Sequence, residues 1–85
     1  MSSVSRSVRD VIAIHGRTVE NLTKISDFDD LYAAGMTSHA TVNVMLALEN
    51  EFNVEFLISQ LQRSSFQSIN SICQLLSALG VSDSE

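Results

Sequence analysis

The stretch Ser38-His39-Ala40-Thr41-Val42-Asn43-Val44-Met45-Leu46-Ala47-Leu48-Glu49-Asn50-Glu51-Phe52-Asn53 decides the fold class. It holds no glycine or proline, and alanine, leucine, methionine and glutamate are strong helix formers. Val44, Leu48 and Phe52 stand at i, i+4 and i+8, and Met45 widens that stripe. Val42 and Leu46 form a second stripe, which lands on Ser38 when continued backward by four. A helix apolar on two sides is either buried all round or offers one side to a partner. Glu49 and Glu51 argue against full burial, so the spacing predicts a helix over 38–53 with an exposed apolar face.

Outward from that helix the same periodicity recurs. Over Ser3–His15, Val4, Val8, Val11 and Ile12 mark one buried stripe, with Arg6, Arg9 and Asp10 on the other side. Ser2 or Ser3 suits the N-cap, and Gly16 suits a left-handed stop. A long connection follows, from Gly16 to Thr37. In it Val19, Leu22, Ile25, Phe28 and Leu31 recur every three residues and are expected to pin the loop over the core. A helical turn is expected around Asp29–Ala33, ending at Gly35. Downstream, Phe56, Leu57, Ile58 and Leu61 suggest a short helix over Glu55–Gln62, and Arg63–Gln67 reads as a polar link. Ile69, Ile72, Cys73, Leu76 and Leu79 mark a last helix over Ser68–Leu79, ended by Gly80, with a polar tail behind it. No segment alternates with period two. The expected fold is all-α: a small four-helix bundle, three main helices plus one short helix, with a long first loop. One domain is expected over 1–85, with an ordered core about 4–79.

Composition narrows the function. A chain of 85 residues leaves little room for a deep, walled cleft. With 45% hydrophobic and 18% charged residues it is not a disordered composition. A net charge of −5 argues against nonspecific nucleic-acid binding, which needs cations to neutralise phosphates. The single cysteine, Cys73, excludes an internal disulfide framework and a cysteine zinc cage, and reads as a buried, inert thiol. The longest apolar run, Val44–Leu48, falls far short of the roughly 20 residues of a membrane span. No apolar segment follows Arg6 and Arg9 in the manner of a secretory signal, so the cytoplasm and no membrane partner are expected. The charge is uneven: positions 25–62 hold no lysine or arginine but contain Asp27, Asp29, Asp30, Glu49, Glu51 and Glu55. That interval reads either as a solvated face or as a docking face for a basic partner.

Catalytic chemistry is hard to find. His15 sits at a helix end, where a histidine complements the dipole. His39 adjoins Ser38, but neighbouring helical residues point about 100° apart, which places it poorly as a base for that hydroxyl. No P-loop, nucleophile elbow, CxxC or HExxH is present, and the three aspartates do not follow a calcium-loop pattern. No catalytic or metal-ligating residue is expected. Ser38 is left. It, or Thr37, can cap the helix. It also opens a long helix whose free N–H groups and dipole favour an anion, so a phosphate ester on its hydroxyl would be well placed.

The run Gly35-Met36-Thr37-Ser38-His39 through Leu48-Glu49-Asn50-Glu51-Phe52 resembles the acyl carrier protein family. The family pattern is Leu-Gly-x-Asp-Ser-Leu, followed by an apolar helix ending in Leu-Glu-x-x-Phe. The similarity extends from about Val4 to Leu79. It implies that Ser38 carries a 4′-phosphopantetheine arm, installed from coenzyme A by a phosphopantetheinyl transferase that uses magnesium. The arm would hold an acyl or aminoacyl group as a thioester and present it to downstream acceptor enzymes. The protein itself would be a monomeric shuttle and not an enzyme. Thr37, His39, Val42, Asn43, Leu46 and Glu49 are the expected partner-binding residues.

The departures are informative. Asp-Ser-Leu is here Thr37-Ser38-His39, which puts acceptance by a standard transferase in question. Positions often acidic along the helix are Ala40, Asn43 and Asn50, and the proline frequent after it is replaced by Phe56-Leu57. This variant looks like the small bacterial carriers loaded by an amino acid:carrier protein ligase resembling seryl-tRNA synthetase. A specialised carrier for fatty-acid, lipid or polyketide synthesis is the alternative within the family. Met45, Phe52, Phe56 and Phe66 would fill the space in which a lipid chain is sequestered, which favours small polar cargo. An unmodified helical interaction module is the alternative outside it.

Overall fold

Thirteen residues, Ser3–His15, form the first helix, α1, with the bounds their valine spacing predicts. The computed structural model describes residues 3–16 and 25–81. Parts of the sequence reading fall on Ser2, the Ser3 side chain, Val19, Leu22 and residues 82–85, which lie outside the described residues. Val4, Val8, Val11 and Ile12 are buried, as the stripe requires, while Arg6 and Asp10 are exposed. Gly16 does not make the left-handed stop expected of it, since its φ lies outside that region. It is needed for close approach: its N–H donates to Ile12 O at 2.7 Å, and a Cβ there would sit 2.7 Å from the same oxygen and 2.9 Å from Ile12 Cγ2.

The described part of the first connection, 25–37, is held by polar bonds as much as by apolar ones. Ile25 and Leu31 are buried as expected, but Phe28 is 77% exposed and pins nothing. Asp27 is the anchor: Arg9 Nη2 donates to its Oδ1 at 2.6 Å, and its carbonyl accepts from Asn70 N at 2.8 Å. One residue thereby ties the loop to both terminal helices. Asp30 Oδ1 accepts from Tyr32 N at 2.9 Å and Ala33 N at 3.3 Å, setting up a turn over 31–35. Gly35 closes that turn at φ 113°, a conformation that a side chain strains, and Met36 N returns to Leu31 O at 3.0 Å.

The chain then enters α2, Ser38–Phe52. Its buried stripe is Ala40, Val44 and Leu48, with Met45 and Phe52 partly buried against the core. Val42 and Leu46 are 49% and 54% exposed, so the two-sided reading of this helix holds. Asn53 ends it in the left-handed conformation at φ 53°, and Val54 N bonds back to Glu49 O at 3.1 Å. Asparagine tolerates this conformation better than most residues.

The expected short helix over Glu55–Gln62 is replaced by a single 3-10 turn, Ile58–Gln60, and the expected polar link contains a second one, Arg63–Phe66. Two phenyl rings explain the change. Phe56 and Phe66 are buried and meet edge to face, with centroids 5.7 Å apart at 88°. Placing both in the core draws the intervening chain over the surface, and Leu57, Ile58 and Leu61 are left 61%, 89% and 41% exposed.

The last helix, α3, runs over Ile69–Ala78 with Ser68 as N-cap, its Oγ accepting from Ser71 N at 3.1 Å. Ile69, Ile72 and Leu76 are buried, whereas Cys73 is only half-buried. A Schellman closure ends it: Val81 N bonds to Leu76 O, Gly80 N bonds to Ser77 O, and Gly80 takes φ 94°. α1 packs against both α2 and α3, and the second 3-10 turn packs on α3. The described fold is all-helical, three α-helices joined with 3-10 turns around one apolar core.

Candidate functional site: Ser38 and the groove beside it

The first turn of α2 resolves the competition between Thr37 and Ser38. Thr37 is extended (φ −86°, ψ 167°), and its Oγ1 accepts from Ala40 N at 3.0 Å. Thr37 O accepts from Thr41 N at 2.9 Å and from Thr41 Oγ1 at 2.8 Å. The turn closed by Gly35 delivers the chain in this orientation, so Thr37 is the cap and Ser38 is the first helical residue. Ser38 is exposed, and its hydroxyl has no structural task that a cap would give it. The first turn carries no acidic residue. An anion attached there meets the positive end of the helix dipole without a like charge in the same turn.

Ser38 opens onto a groove of about 350 Å³ walled by Tyr32, Val42, Met45, Leu61 and Phe66, with Arg63 at its edge. The Arg63 guanidinium lies 3.9 Å over the Tyr32 ring, and Tyr32 Oη donates to Arg63 O at 3.1 Å. The wall is largely apolar, so it suits a flexible, uncharged group tethered at the serine. The residues fit a phosphopantetheine ester: an unengaged hydroxyl, a helix start for the phosphate, and an apolar trough alongside.

The expected partner-binding residues do not form one patch. Thr37 and His39 are exposed beside Ser38. Val42 faces the Ser38 groove. Asn43 and Leu46 instead line a second groove of about 520 Å³ between α1 and α2, with Ile14, Asp10 and Glu51. Glu49 is engaged within the chain, its Oε2 accepting from Phe56 N at 2.9 Å. Sequence reasoning missed Tyr32, Leu61 and Arg63 as groove residues. They come from two separate connections, and no local pattern pairs Tyr32 with Arg63. Among the described residues no cluster of histidine, cysteine, aspartate or glutamate could hold a metal ion, and no helix is long and apolar enough to cross a membrane.

No family model matches the chain. It is 39% identical over 69 residues to the aminoacyl carrier protein of Agrobacterium fabrum strain C58, covering 81% of this chain and 83% of that one. Its fold matches a chain in the crystal structure of an engineered Bradyrhizobium japonicum glycine:[carrier protein] ligase complexed with a carrier protein from Agrobacterium tumefaciens and AMP. That match has a TM-score of 0.83 and 37% identity over 86% of this chain and 97% of the other. A partner almost wholly covered by so short a chain is the carrier, not the ligase. A further match, with a TM-score of 0.73 and 25% identity, is to a Bradyrhizobium japonicum glycine:[carrier protein] ligase complexed with glycylated carrier protein, over 85% of this chain and 96% of that one. Likeness in sequence and in fold along most of the chain leads to one conclusion: this protein belongs to the aminoacyl carrier protein family.

Proposed function

We propose that Ser38 is the attachment point of a 4′-phosphopantetheine arm and that this carrier holds an aminoacyl group on it for delivery to an acceptor enzyme. The observation that carries the reading is the division of labour at the start of α2. Thr37 Oγ1 does the capping, and the exposed Ser38 hydroxyl beside an apolar groove is left for chemistry. In the attachment step Ser38 Oγ attacks the pantetheine-side phosphorus of coenzyme A. A new P–O bond forms, the diphosphate bond breaks, the nucleotide leaves, and the serine proton passes to the transferase. The arm, once bound, supplies a terminal thiol for the thioester.

On this reading the chain is substrate and shuttle, not an enzyme. It works as a cytoplasmic monomer, and its partners are the transferase, a loading ligase and the acceptor. Glycine is the first cargo to test, because chains of the same fold are seen with glycine:[carrier protein] ligases. Thr37, His39 and Val42 would meet a partner at the Ser38 end, Asn43 and Leu46 along the α1–α2 groove. Glu49, bonded to Phe56 N, would present only its remaining oxygen.

Intact-mass measurement after incubation with coenzyme A, magnesium and a broad-specificity transferase tests the site. One phosphopantetheine should add to the wild type and none to Ser38→Ala. Addition to Ser38→Ala, or none to the wild type, would overturn the reading. The cargo is tested by a second mass increment with glycine, ATP and a glycine:[carrier protein] ligase.

A further inference from the structure

Arg63 is the lysine or arginine, among the described residues, that faces the groove into which Ser38 opens. Its backbone is fixed, because Tyr32 Oη donates to its carbonyl at 3.1 Å. Its guanidinium is held only by stacking 3.9 Å over the Tyr32 ring, at an exposed position. A cation–π contact in such a setting is weak. No carboxylate lines the groove to compete for the charge. Asp30 does not line the groove; its Oδ1 accepts from Tyr32 N and Ala33 N, and its Oδ2 accepts from Gln67 Nε2 at 3.5 Å. Arg6 and Arg9 lie away on α1, and Arg9 is paired with Asp27.

We propose that Arg63 is the internal counter-ion of the phosphodiester formed at Ser38, and that it positions the arm along the groove. This rests on the reading of Ser38 as the attachment site. The phosphate brings a full negative charge to the groove mouth, and a guanidinium–phosphate hydrogen bond is charge-assisted on both sides. The guanidinium exchanges its Tyr32 stack for that bond without moving its own backbone. With its first atoms held, the arm runs between Val42, Met45 and Leu61 instead of sweeping solvent. Arg63 is a positioning residue in this scheme and takes no part in thioester chemistry.

The test uses the full chain, isotope-labelled, in its unmodified and phosphopantetheinylated forms, with attachment first verified by mass. Attachment should move the Arg63 Nε–Hε resonance, and nuclear Overhauser contacts should link the arm's geminal methyls to the Met45 and Leu61 methyls. In Arg63→Gln those contacts should fall about twofold or more, while Arg63→Lys, which keeps the charge, retains part of them. In wild type the Arg63 shift should shrink as salt is raised, so the result does not depend on a variant folding well. An Arg63 resonance that ignores attachment, or contacts undiminished in Arg63→Gln, would overturn the proposal while leaving the carrier reading intact. Failure of attachment itself would sink the carrier reading and this inference with it.

Discussion

At the scale of single residues, Thr37 and Ser38 are adjacent hydroxyls in different settings, one capping α2 and the other exposed. Thr37→Ala removes a side-chain cap and should cost about 0.5–2 kcal/mol in urea unfolding. Ser38→Ala removes no cap and should stay within about 0.5 kcal/mol of wild type, while losing all phosphopantetheine in the mass assay. The two variants therefore separate folding from modification in neighbouring positions. Sequence alone leaves this open, because both serine and threonine serve as N-caps, and serine, which ranks somewhat higher, is not the one used here. What decides between them is the extended backbone at Thr37, set by the turn that Gly35 closes. Gly16 has the same lesson: glycine in a helix-stop position looks like a left-handed residue, and only the 2.7 Å approach to Ile12 O reveals the other reason for it.

At the scale of elements, the three α-helices are legible because each buries one stripe whose spacing the sequence shows directly. The connection between α2 and α3 is not. Leu57, Ile58 and Leu61 carry the composition of a core helix, yet they are exposed. Phe56 and Phe66 take the core positions; one straight helix would hold them about 15 Å apart along its axis, so the chain between them must turn back for the rings to meet at 5.7 Å. Phe66→Ala should cost about 3–5 kcal/mol, because it opens a cavity and removes the edge-to-face partner of Phe56. Ile58→Ser, at 89% exposure, should change stability by less than about 0.5 kcal/mol. Thermal unfolding of the pair checks both. Equal losses would mean that the connection is packed differently. Leu48→Ala, in the buried stripe of α2, belongs with the first class at about 2–5 kcal/mol.

At the scale of the whole molecule, the acidic interval gains a specific meaning. Asp27 binds Arg9, Asp29 accepts from Ser26 N, Asp30 caps the 31–35 turn, and Glu49 holds Phe56 N. These carboxylates are first of all devices that fold the connections. Their charge remains at the surface, but their positions follow from local hydrogen bonding. This favours apolar contacts as the selectors of a partner. Val42→Glu should therefore lower the rate of loading by a glycine:[carrier protein] ligase about tenfold or more, near 1.4 kcal/mol. Asp29→Asn should lower it only slightly, by an amount that vanishes at high salt. A larger effect from Asp29→Asn would restore electrostatic docking as the main term. The family resemblance was readable because it rests on one contiguous run around Ser38. The groove was not, because its walls are assembled from three stretches of chain that meet only in the fold.

Cys73 sits half-buried in α3, and it is the single cysteine of the chain. On the reading of Ser38 as the attachment point, the modified carrier owns a second sulfhydryl on its arm, and an alkylation assay of loading must tell that thiol from Cys73. In Cys73→Ser the remaining reactivity belongs to the arm alone. Its disappearance on aminoacylation then becomes a direct optical measure of how much cargo the carrier holds.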